Sequence, residues 1–136
     1  MFFVLNIYTI TFIMLRENAN VRQIPGDPPR RWFSDEFFDL IVWFSPDKAV
    51  TDFQLCYDRE YKPRALTWLK RGGYTHNGID DGDTPDGSHK SSPILVPDGI
   101  FDSNDIAARF AAAGGELPQD IRETVLGKIR EFKKDL

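Results

Sequence analysis

Residues 53 to 58 read Phe53-Gln54-Leu55-Cys56-Tyr57-Asp58. Phe53, Leu55 and Tyr57 alternate with Gln54, Cys56 and Asp58, and successive side chains on a strand point to opposite faces of its sheet, so this stretch is a half-buried β-strand. Two neighbouring stretches carry the same period. Between Phe37 and Phe44, the residues Phe38, Leu40, Val42 and Phe44 fall on one face; between Ala65 and Lys70, Leu66 and Trp68 do. Three such strands in succession predict an antiparallel meander.

The chain has 136 residues, 41% of them hydrophobic and 13% aromatic, which is enough for one domain with a real core and too short for two. Its net charge is -4, from 21 acidic and 17 basic residues, so no global basic field points to nucleic acid, and no nucleic-acid partner is expected. Arg30 with Arg31 and Lys70 with Arg71 read as solvated charges beside turns. A single cysteine, Cys56, excludes an internal disulfide and a thiolate metal cluster, which favours a reducing, cytoplasmic setting.

The first fifteen residues, MFFVLNIYTITFIML, are almost continuously apolar. They lack a basic residue before the apolar run and a small-x-small cleavage pattern, and they are short for a membrane span. Three readings stay open: translation begins at Met14 rather than Met1, the segment associates with a membrane, or it adds a strand. Ile24-Pro25-Gly26-Asp27-Pro28-Pro29 forbids a helix, so residues 1–29 read as an apolar extension and a Pro-rich arm ahead of a domain at 30–136.

The order of elements follows from turn chemistry. Arg30 to Phe33 reads as a short edge strand, Ser45-Pro46-Asp47-Lys48 as a turn, and Arg59 to Pro63 as a loop. Gly72-Gly73 reads as a tight two-residue hairpin, pairing Arg71 with Tyr74, Leu69 with His76 and Thr67 with Gly78. On that register His76 lies on the face of Thr67, and Ile79 lies with Leu66 on the core side. Residues 80 to 92 form a long acidic loop, and Pro93 to Pro97 a last edge strand. Asp102 with Asp105 marks a helix start, Gly114-Gly115 its end, and Pro118 opens a second helix with an apolar stripe of Ile121, Val125, Ile129 and Phe132. The predicted fold is α+β: an antiparallel meander of four to six strands with two C-terminal helices packed on one face.

Three groups of residues could carry chemistry. In the acidic loop, Asp81, Asp83 and Asp86 are of the residue type that ligates calcium, but Pro85, Asp86 and Ser92 stand where an EF-hand needs an oxygen donor, a glycine and a glutamate, so an EF-hand is excluded. An irregular cation site in that loop stays open, and around it His76, Asp80, Asp81 and His89 form a second set able to hold a divalent metal, at intervals that match no zinc motif. On the polar sheet face, Asp39, Trp43, Gln54, Thr67 and His76 read as a ligand-binding surface, and Cys56 with His76 as a nucleophile and base. A mid-strand cysteine is more often inert packing than a nucleophile.

The runs FDLIVWF, FQLCYDRE, RALTW, the stretch His76 to Asp81, and HKSSPILVPDGIFD together resemble a family of small uncharacterised bacterial proteins, over about residues 30 to 132. The resemblance brings no activity, fold or catalytic residue with it. The residues themselves favour a non-enzymatic module that binds a small polar ligand or a protein partner through its polar sheet face, with no required cofactor. The alternative is a small metal-dependent hydrolase with its site around residues 76–89.

Overall fold

The computed structural model describes residues 14–80, 94–97 and 101–132, with the backbone alone for Asp80 and for 94–97. The first thirteen residues and most of the acidic loop, including Asp81 and His89, lie outside the described residues. Strands β1 (Arg16–Glu17), β2 (Arg30–Ser34), β3 (Phe38–Phe44), β4 (Val50–Tyr57), β5 (Arg64–Leu69), β6 (Gly73–Asp80) and β7 (Ile94–Pro97) precede helices α1 (Ser103–Ala113) and α2 (Gln119–Glu131). The sheet order is β1 to β7 without a crossover, every pair antiparallel, so the predicted meander and the α+β class are both present.

The alternation of β3, β4 and β5 fixes which face is covered. Leu40, Val42, Phe53, Leu55 and Leu66 are wholly buried beneath the helices, joined by Phe33 and Phe38. From α1, Ile106 and Phe110 reach this face, and Phe110 meets the edge of the Phe38 ring at 5.7 Å between centroids. From α2 come Ile121, Val125 and Ile129, each fully buried, as the stripe required. Asp102 caps α1, its Oδ1 accepting the Asp105 N–H at 3.1 Å, and Gly114 closes it.

Two places depart from simple alternation. A bulge between Trp43 and Phe44 leaves Trp43 opposite Asp52 but Phe44 opposite Val50, so Thr51 is the extra residue and Val50 packs with Phe44 against the core. At the other end of the chain's reach, the arm is not wholly outside the fold. Leu15 is 1% exposed and donates its N–H to the carbonyl of Ala113 at the end of α1, 2.9 Å away, and β1 then pairs with β2. Leu15 and β1 therefore pack with the elements that follow Arg30 rather than standing wholly apart from them.

The hairpin between β5 and β6 corrects the predicted register. The loop is Lys70-Arg71-Gly72, closed by the Gly72 N–H on the Leu69 carbonyl at 3.0 Å, and Gly73, at φ 77°, already pairs with Leu69. Leu66 thus faces His76 and Thr67 faces Thr75. An odd shift of register moves every side chain to the other face. His76 therefore belongs to the core side with Leu66, and Ile79 to the side of Thr67, the reverse of the expectation.

Candidate functional site

The face turned away from the helices can be read row by row from the ladders. One row runs Arg16, Ser34, Asp39, Cys56, Ala65, Asn77 and Pro97 from β1 to β7. The next runs Trp32, Ile41, Gln54, Thr67 and Thr75, and the third Arg30, Trp43, Asp52 and Leu69. Asp39, Trp43, Gln54 and Thr67 are thus brought together as expected, and His76 is not among them. Gln54 and Thr67 are directly opposed, and the Gln54 Nε2–H donates to Thr67 Oγ1 at 3.2 Å. The indole Nε1–H of Trp32 donates to Asp39 Oδ1.

Trp32 and Asn77 also belong to this face, although neither was expected there from the sequence. The signal for Trp32 was present: an edge strand at Arg30 to Phe33 beside β3 places it next to Ile41. Asn77 would have followed from the correct hairpin register. Trp32, Ile41, Trp43, Gln54, Thr67, Asn77 and Ile79 are all partly exposed, and no described helix lies over them. At the loop end of the sheet the face runs into a cleft of about 980 Å³, lined by Pro28, Pro29, Phe44, Asp52, Leu69 and Lys70 among others.

Cys56 sits mid-face between Asp39 and Ala65. Burial pushes its thiol up from 9.0 to about 11, the charge of Asp39 adds to that, and Arg59 opposes it. At neutral pH it is a protonated thiol. His76 points to the opposite face, so the pairing of Cys56 with His76 as nucleophile and base does not form. Both facts overturn the cysteine reading.

His76 has a different setting. It is 4% exposed, its Nε2 lies 2.5 Å from the Tyr57 hydroxyl, and the rings of Phe101 and Phe132 stand 5.0 and 6.5 Å from it. Tyr57 in turn carries the Arg64 guanidinium 4.8 Å from its ring centre, and Arg64 pairs with Asp58 at 3.3 Å. Asp58 holds φ 58°, a left-handed conformation that aspartate tolerates at a turn. Beside Phe132, whose ring is 5.0 Å from that of Tyr74, the Tyr74 hydroxyl donates to Glu131 Oε1 at 2.7 Å; burial, then Glu131, raise the Tyr74 phenol well above its usual range. This half of the core face is a polar seam held by aromatic rings, and it joins β4, β5 and β6 to the end of α2.

Of the proposed metal ligands, His76 is enclosed in that seam, Asp80 is described by its backbone alone, and Asp81 and His89 lie outside the described residues. Among the described residues no group of three His, Cys, Asp or Glu side chains is arranged to hold a metal ion. Among them, too, no helix is long and apolar enough to cross a membrane. Comparison with family models, with curated proteins and with solved structures returns no match to this chain.

Proposed function

We propose that the protein is a non-enzymatic binding module whose contact surface is the outer face of its sheet, taking a small polar ligand or a partner protein. One observation carries this reading. Two partly exposed tryptophans, Trp32 and Trp43, lie around Ile41 on a face that also presents Gln54, Thr67 and Asn77, opposite the helices. Aromatic surface interleaved with amides and hydroxyls supplies both apolar area and directional hydrogen bonds, and needs no activated group.

The test is a thermal-shift screen of small polar ligands against the native chain and the Trp43→Ala and Gln54→Ala variants. A ligand bound only by the folded state stabilises it by about 2.7 kcal/mol at a hundredfold excess over Kd. The reading expects that stabilisation to shrink in both variants. Ligands that stabilise all three proteins equally would refute it.

A further inference from the structure

Among the described residues, the three rows of the outer face hold four charged side chains, and each is already engaged. Asp39 accepts from the Trp32 indole. Asp52 accepts the Lys70 N–H on Oδ1 at 3.0 Å and the Thr51 hydroxyl on Oδ2 at 3.3 Å. The Arg30 guanidinium donates twice to the Arg22 carbonyl, at 3.0 and 2.8 Å, and Arg16 at the β1 edge also has an interaction of its own. A charged ligand would have to share these groups with the contacts they already make.

The neutral groups are in the opposite condition. The Trp43 indole N–H and the Asn77 side-chain amide have no partner among the described residues, and Gln54, whose amide N–H goes to Thr67, keeps its carbonyl oxygen to accept. These three lie on a diagonal across β3, β4 and β6. From strand spacing and rise, Trp43 and Asn77 stand about 20 Å apart. The peptide groups of the interior strands are committed to their ladders, so a peptide cannot add to this face through its backbone as it would at a sheet edge.

We infer that the face takes a neutral, polyhydroxylated chain, an oligosaccharide; this rests on the binding reading above and names its ligand class. A sugar ring offers a C–H face that packs on indole and hydroxyls that both donate and accept, which matches Trp43, Gln54 and Asn77 without disturbing Asp39, Asp52 or Arg30. The span of the diagonal selects an oligomer over a single ring.

The experiment titrates the full chain with cellohexaose, maltohexaose and chitohexaose, and separately with polyglutamate and polylysine peptides, following the Trp32 and Trp43 indole N–H resonances. Trp43→Ala and Asn77→Ala are run alongside, their folding checked by circular dichroism. The expected result is that at least one hexasaccharide moves the Trp43 resonance and binds about tenfold or more weakly to each variant. Movement by a charged peptide and by no sugar overturns the ligand class and leaves the face reading standing. Sugar binding at full strength in both variants, with Trp43 unmoved, overturns both. No sugar binding at millimolar concentration overturns the inference.

Discussion

The two faces of the sheet are built from the same strands by the same alternation, yet they differ in how far they are closed. On the helix side, Leu40, Val42, Phe53, Leu55 and Leu66 are entirely inaccessible; on the other side, of the residues in the three rows whose burial is described, Ala65 alone is fully buried. The alternation decides only that the faces differ. The amphipathic stripes of α1 and α2 decide which one becomes the core, and the face left over keeps its aromatic rings partly in solvent. Within the core face there is a second contrast: β3 presents an apolar surface, while β5 and β6 bring Arg64, Tyr74 and His76 into it.

The contrast between faces can be broken most directly by truncation. Phe53→Ala removes a wholly buried ring and is expected to cost about 3–5 kcal/mol in urea unfolding. A cost below about 1 kcal/mol would mean the helix side is not the core. Reactivity sharpens the same comparison from the other face. With its thiol raised from 9.0 to about 11, Cys56 is expected to react with iodoacetamide at pH 7.5 about a hundredfold more slowly than in the urea-unfolded chain. Equal rates would place Cys56 in an open, solvent-like setting.

Tyr57→Phe tests the polar seam by removing the 2.5 Å hydrogen bond to His76, and is expected to cost about 1–2 kcal/mol. On the open face, Gln54→Ala breaks a bond between partly exposed partners and is expected to cost about 0.5–1 kcal/mol, well under the Phe53 change. The smallest effect comes from the β1 edge, where the Arg31 hydrogen bond holds the Glu17 carboxyl below its usual 4.5. A lowered acid contributes stability that is full above pH 4.5 and is lost as pH falls through its folded value, so Glu17→Gln should flatten the acid limb of a stability profile by about 0.5 kcal/mol or less.

Much of the fold was legible because each strand of the meander carries its own period and each helix its own stripe. What escaped the sequence was conformational rather than compositional. Gly72 and Gly73 are equally permissive on paper, but Gly73 alone takes the positive φ and does so inside β6, which makes the loop one of three residues and sends His76 inward. The bulge at Trp43 and Phe44 has no composition signal, since Thr51 is a good strand residue. Strand β1 has two residues and no period to read; burial of Leu15 and its bond to Ala113 hold it in place. For the candidate site, Asp39, Trp43, Gln54 and Thr67 followed from parity within strands, and His76 failed because its parity depended on a turn.

The Leu15 bond to Ala113 also bears on kinetics. Every strand pair in this sheet joins neighbours in sequence, a topology dominated by local pairings. The clasp between Leu15 and the end of α1 is of longer reach, because it ties the beginning of the described chain to its last third. Weakening it is expected to leave the folding rate nearly unchanged and to speed unfolding instead, the outcome for a contact made after the transition state. The clasp would act as a brake on opening, setting how long the folded molecule lasts rather than how fast it is made.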